Sequence, residues 1–232
     1  MSVSENITVI HERMAAAARR AGRQPEEVEL MAVTKTFPAS AIVEAYAAGQ
    51  RLFGESRVQE FAAKASDLQG LKDAVWHMIG HLQSNKAAKA VELFAAVDSL
   101  DSFRLAQRLD DAARHQKKKV AALIEINVGG EAAKSGLRLA SPELEQILRA
   151  AQQFEYLEIR GLMTVPPFTE DPEEARPYFR KLRELQKSIS ARQLPGITLG
   201  VLSMGMSHDF EAAIEEGSTR VRVGTAIFGQ RV

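Results

Sequence analysis

The chain has 232 residues, with 30 lysines and arginines against 30 aspartates and glutamates and no cysteine. That length lets a globular fold bury roughly 70–75% of its unfolded surface, so no covalent staple is needed. Zero net charge gives no general pull toward nucleic acid, and the missing thiols exclude disulfides, cysteine nucleophiles and thiolate metal sites. The opening MSVSENITVIHERM carries acids early and lacks the apolar core of a signal peptide. Nowhere do 18 apolar residues run together, so the expectation is a cytoplasmic protein without a membrane span.

In chain order, an amphipathic helix is expected over 5–21. The apolar run ELMAVT (29–34) reads as a buried strand that ends at Lys35, and Pro38 leads into a helix over 39–48 stopped by Gly49. Strand-like runs recur at 51–53, 75–79, 95–98, 120–127, 158–163, 198–203 and 221–227. Helical patterns lie between them at 56–68, 84–92, 102–116, 142–153, 172–191 and 208–216. Ser141-Pro142-Glu143 and Asp171-Pro172-Glu173 have the form of helix starts, a capping side chain followed by proline at the first helical position. The strands are short and mostly lack alternation, as strands covered on both faces do. Eight of them alternating with helices predict a single (β/α)8 barrel domain over 1–232 with an extra N-terminal helix, a doubly wound open sheet being the alternative.

Both architectures bind ligands at the carboxyl ends of the strands. Those ends carry Thr34-Lys35, Gly54-Glu55-Ser56-Arg57, a stretch from Gly80 to Lys86, Asp98-Ser99, Asn127 to Gly130, Thr164 to Pro167 and Met204 to Asp209. The last strand contributes Arg222, Gly224 and Thr225. Ser207 is a candidate N-cap for the helix DFEAAIEEG, whose unpaired backbone N–H groups would face the rim. With Gly224, where the backbone can be approached closely, this describes an anion pocket; an ordinary capped helix after an ordinary turn reads equally well. Lys35 is either a snorkelling surface lysine or an amine serving a phosphate-bearing aldehyde such as pyridoxal phosphate. His77 is expected to pack in its strand, and Asn85-Lys86 to sit at an ordinary helix start. No catalytic role is expected for His81 or His208.

The stretches AVTKTFPASAI, FGESRVQE, WHMIGHLQSNK, VDSLDS, RGLMTVPP, LSMGMSHDFEAAIEEGST and VRVGTAIFG occur in this order. Together they resemble the pyridoxal phosphate homeostasis protein family over nearly the whole chain. The resemblance implies an alanine-racemase-like barrel holding pyridoxal 5′-phosphate as a lysine aldimine. Lys35 matches the Schiff-base lysine, and Ser207, Gly224 and Thr225 match the phosphate-binding positions. Arg222 matches the arginine facing the pyridine nitrogen, and Met204, Gly205 and Ser56 complete the cofactor-binding set. At Ser56 the family usually has asparagine, so a contact made by that amide is not carried over. The Lys134-Ser135-Gly136 loop also matches and is expected to order over the ligand.

An arginine keeps its proton near neutrality, so a pyridine nitrogen facing Arg222 stays unprotonated and the ring is a weak electron sink. Racemases with that arrangement add a second acid–base group from another domain and subunit. The expected barrel consumes the whole length here, and Tyr46, Tyr156 and Tyr178 all lie away from predicted strand ends. The expectation is a monomeric, non-catalytic carrier that delivers the cofactor to enzymes requiring it. The alternative is a low-activity racemase or lyase.

Overall fold

The computed structural model describes residues 2–131 and 134–230. The alternating pattern resolves into a closed barrel of parallel strands in chain order: β1 (Glu29–Val33), β2 (Leu52–Glu55), β3 (Val75–Met78), β4 (Ala96–Leu100), β5 (Val120–Glu125), β6 (Leu157–Met163), β7 (Ile197–Met206) and β8 (Arg220–Val223). The open-sheet alternative is excluded, because β8 pairs with β1 in register, Glu29 opposite Arg220 and Ala32 opposite Val223. All residues of β4 and β8 are buried, because one face fills the barrel and the other meets helices, and this buries the polar Asp98, Ser99, Arg220 and Arg222 with them.

The outer layer comprises α1 (Val3–Arg20), α2 (Ala39–Ala47), α3 (Val58–Lys64), α4 (Ala87–Leu93), α5 (Phe103–His115), α6 (Pro142–Ala150), α7 (Arg176–Ala191), α8 (Phe210–Glu215) and α9 (Thr225–Phe228). Helix α1 begins at a reciprocal cap, in which Glu5 N–H donates to Ser2 Oγ and Ser2 N–H donates to Glu5 Oε2. Its apolar stripe, Ile7, Ile10, Met14, Ala17 and Ala18, is buried against the ring. Because α9 is a single turn, the ring is thin after β8. Helix α1 covers that seam by packing on α2, α8 and α9, and Asn6 Nδ2 donates to Ile227 O at 2.8 Å.

Among the boundaries that differ from the sequence expectation, four bear on the site. The run 221–227 is strand only through Val223. At Gly224 the chain turns, and Ile227 and Phe228 N–H groups donate to Gly224 O to make α9. Strand β4 continues to Leu100, so Asp98 and Ser99 lie inside the barrel wall and are fully buried. Strand β7 runs to Met206, so Met204 and Gly205 belong to the strand. Helix α3 starts at Val58, since the chain bends at Ser56 and Arg57 is extended at the cap position.

Gly161 marks where β6 and β7 change register. A Cβ there would stand 2.0 Å from the Val201 carbonyl oxygen, so any side chain would push the two strands apart. Gly161→Ala is expected to lower stability by roughly 1–3 kcal/mol, as overpacking does; urea unfolding followed by far-UV dichroism measures it.

Candidate functional site

The carboxyl ends of the strands surround a cavity of about 640 Å³ whose wall includes Lys35, Ser56, Arg57, Ser207, Arg222, Gly224 and Thr225. Six of the eight residues expected at the site therefore share one cavity. Met204 and Gly205 are not in its wall. Met204 is fully buried among apolar residues, and its carbonyl accepts from Ser218 Oγ at 2.7 Å. Gly205 has φ +94°, and a Cβ there would press 2.6 Å from Ala213 Cβ, so this position serves the packing of α8 on β7.

Lys35 occupies the second position of a β-turn closed by Phe37 N–H donating to Thr34 O at 3.1 Å. The strand delivers the backbone to the mouth, and the turn leaves the side chain half-buried in the cavity wall. Arg222 comes from inside the barrel. Its Nη1 donates to Ser203 O at 2.8 Å and Ser203 Oγ at 2.7 Å, and its Nη2 donates to Thr164 O at 2.8 Å. Three hydrogen bonds on β7 and the end of β6 thus hold a buried guanidinium against the cavity. Burial pulls its pKa down, while Asp98, Asp209 and Glu125 act in the opposite sense.

Ser207 does not cap α8. Asp209 takes the cap position, and its Oδ1 accepts from Met206 N–H at 2.6 Å. Ser207 Oγ instead accepts from Gly224 N–H at 3.3 Å and Ala226 N–H at 3.4 Å. A hydroxyl from the end of β7 and backbone donors from the turn after β8 therefore converge, at the location where barrels of this kind commonly bind phosphate. A Cβ at Gly224 would come within 3.2 Å of Val33 O, which keeps the β8 turn close to β1. Gly80 plays a similar part for Ser56: a Cβ there would collide with Ser56 O at 2.4 Å.

Beneath the cavity lies a polar layer. His77 Nδ1 is 3.0 Å from Asp98 Oδ1, and Arg220 Nη1 donates to Asp98 Oδ2 at 3.5 Å. Arg220 also donates to Glu29 Oε2 at 2.7 Å. Burial opposes the Asp98 charge, yet His77 and Arg220 outweigh it and hold the carboxyl below its ordinary range. His77 is buried there and is not in the cavity wall. His81 and His208 do line it, His81 Nδ1 at 2.7 Å from Asp101 Oδ2 and His208 Nε2 at 3.0 Å from Glu170 O. Asn85 lies in a separate depression with Arg104 and Arg108.

Glu125, at the end of β5, lines an adjoining recess with Lys134 and Ser135. Lys134 Nζ donates to Pro166 O at 3.1 Å, so the loop is tied to the rim after β6. The residues not foreseen at the site are Ser203 and Glu125; Thr164 is expected at its strand end, and with Ser203 it anchors Arg222. A buried serine within an apolar strand was the available signal for the first.

A closed parallel barrel whose mouth offers an amine, a guanidinium and a turn of backbone donors belongs to the alanine-racemase class of barrels: residues 6–232 match the family model for the alanine racemase N-terminal domain. Within that class the chain belongs to the pyridoxal phosphate homeostasis protein family. It is 42% identical over 232 residues to the member from Aquifex aeolicus, covering 100% of this chain and 99% of that protein. To the Escherichia coli member it is 42% identical over 231 residues, covering 99% and 97%. PipY of Synechococcus elongatus, solved with PLP bound, superposes with a TM-score of 0.85 at 38% identity, covering 98% of this chain and 100% of that one. Alanine racemase from Streptomyces coelicolor shares the fold, with a TM-score of 0.73 at 20% identity over 96% of this chain and 58% of that one.

Burial pushes the Glu125 carboxyl up, and the hydrogen bond from Ser135 Oγ offsets this only in part. The folded protein therefore keeps that proton to a higher pH than the unfolded chain, whose ordinary value is 4.5. Stability then falls as pH rises from 4.5 through the raised folded value. Glu125→Gln should remove that contribution, so urea midpoints compared at about pH 5 and about pH 8 should differ less than in the parent protein. An unaltered difference would mean the carboxyl is not shifted.

Proposed function

We propose that this chain binds pyridoxal 5′-phosphate at the barrel mouth and acts as a cytoplasmic carrier of that cofactor in its homeostasis, delivering it to enzymes that require it. The observation that carries the reading is the meeting of Lys35, Arg222, Ser207 and Gly224 around one cavity, with the Gly224 and Ala226 N–H groups directed at Ser207 Oγ. The donor set fits the group. Ser207 Oγ and the N–H groups of the β8 turn supply hydrogen bonds for a phosphate, and their mutual contacts of 3.3 and 3.4 Å are long enough to yield to a charged acceptor. Arg222 offers a donor whose orientation is fixed by Ser203 and Thr164. Lys35 offers a primary amine. When bound, the cofactor supplies an aldehyde that condenses with a primary amine with loss of water, and an aromatic ring able to accept electrons.

The surroundings favour holding over turnover. Arg222 keeps its charge and presents a donor, so it supplies no proton to strengthen the electron sink. Among the described residues lining the cavity there is no tyrosine. Tyr46 hydrogen-bonds Asp73, and Tyr178 lies under Lys181, both on the outer layer.

Protein mixed with pyridoxal phosphate is expected to gain a visible absorption band, and borohydride should fix the cofactor's mass on the peptide carrying Lys35. Lys35→Ala should lose both; retention of the covalent adduct elsewhere would reject Lys35 as the amine. Ser207→Ala is expected to weaken binding by about 1.5–3 kcal/mol, roughly tenfold to a hundredfold in Kd, measured by fluorescence titration. Pyridoxal and its phosphate binding equally well would contradict the phosphate seat.

A further inference from the structure

The turn carrying Lys35 is unusual in its backbone. Thr36 has φ +67°, at the turn position where glycine or asparagine normally stands. For a β-branched residue this is a strained conformation, and such strain persists only where neighbours enforce it. The enforcing groups come from one face of α3. Glu60 Oε1 accepts the Thr36 N–H at 2.5 Å. Lys64 Nζ donates to Thr34 O at 3.1 Å and to Phe37 O at 3.4 Å, the two carbonyls that bracket Lys35 and Thr36.

Lys64 is itself held from behind. Its ammonium lies 2.7 Å from Glu55 Oε1, and its side chain is only 12% exposed. Glu55 is fully buried and also accepts from Thr34 Oγ at 2.6 Å. A simple helix-docking role needs none of this: Val58 and Phe61 already bury the apolar face of α3. Ion-paired lysines on helices usually extend toward solvent, whereas this one turns inward onto main-chain carbonyls of another element. A carboxylate, an ammonium and a second carboxylate thus grip Thr34, Thr36 and Phe37, three residues of the strained four-residue turn that has Lys35 at its second position.

We propose that Lys64, with Glu60 and Glu55, is a positioning device for Lys35: it locks the Thr34–Phe37 turn so that the Lys35 amine is presented to the aldehyde, without touching the phosphate seat. This rests on the cofactor reading above. The seat is built from the β7 and β8 ends, and the clamp acts only on the β1 end. The two can therefore be separated experimentally.

Lys64→Met keeps an unbranched side chain of similar length and removes the donor. Two quantities are measured in the full chain: the rate at which borohydride quenching traps cofactor on the Lys35 peptide, and the affinity for pyridoxine 5′-phosphate, which has the phosphate and ring but an alcohol in place of the aldehyde. Trapping should slow by roughly tenfold to a hundredfold, the scale of a misplaced reacting group, with analogue affinity unchanged. Glu60→Ala, a change at a partly exposed position, should slow trapping in the same direction and carries the test should Lys64→Met not fold. Trapping at the parental rate in the folded variants would overturn the proposal. So would a loss of analogue affinity equal to the loss in trapping, since that marks a general disturbance of the cavity. Failure of the unaltered protein to trap any cofactor would instead refute the reading on which the proposal depends; normal trapping there with unaffected variants would refute the clamp alone.

Discussion

Pairing of β8 with β1 is the contact on which the site depends. It joins the last strand of the chain to the first, aligning Ala32 with Val223 and Met31 with Arg222. Without that ladder, Lys35 and the turn at Gly224 would lie at opposite edges of an open sheet. With it, the β8 turn passes so close to β1 that a Cβ at 224 would stand 3.2 Å from the Val33 carbonyl oxygen. Helices α1 and α9 reinforce the seam through Asn6 to Ile227, and the rings of Phe37 and Phe228 meet at 4.8 Å just outside the Lys35 turn. The same closure that completes the backbone hydrogen bonding of the barrel also assembles the mouth.

Inside the barrel, two arginines of β8 have different partners. Arg220 neutralises carboxylates, Asp98 within the wall and Glu29 at the strand's start, and belongs to a compensated polar layer with His77. Arg222, one pleat further along, is bound by a serine hydroxyl and two carbonyls, and no carboxylate among the described residues is in hydrogen-bond contact with it. Its charge is thereby balanced only at longer range by Asp98, Asp209 and Glu125. A buried guanidinium fixed by neutral acceptors keeps a fixed direction and a strong preference for an electron-rich partner. That suits the ring-binding role proposed for Arg222, and it ties Ser203 and Thr164 to the site although neither is in the cavity wall.

Much of the architecture was legible because strand burial writes itself into composition. Runs such as ELMAVT and VAALIEIN tolerate few readings; the proline and capping signals mark the start of α6 at Ser141 and, at Asp171, a 3-10 helix over Pro172–Ala175 that leads into α7. Lys35 stood out for the same reason, an ammonium at the end of a buried strand. The errors gathered where local pattern and packing disagree. The segment 221–227 has the residues of a strand, yet Gly224 turns it into a helix beneath α1. Ser207 has the form of a cap for α8, yet Asp209 holds that position and Ser207 reaches across to the neighbouring turn.

By itself, the order of residues determined the alternation of strands and helices, the strand ends where chemistry collects, and the family to which those motifs belong; these are local properties, set by burial period, turn residues and short motifs. Only the tertiary structure decided that the sheet closes, that Met204 and Gly205 serve packing while Ser207 meets the β8 turn, and that Lys64 reaches from α3 to the carbonyls around Lys35. Those facts depend on strand register and on distances between elements far apart in the chain: a one-residue shift of β7 would turn Met204 to the opposite face, and Lys64 reaches its carbonyls only because α3 lies beside the end of β1.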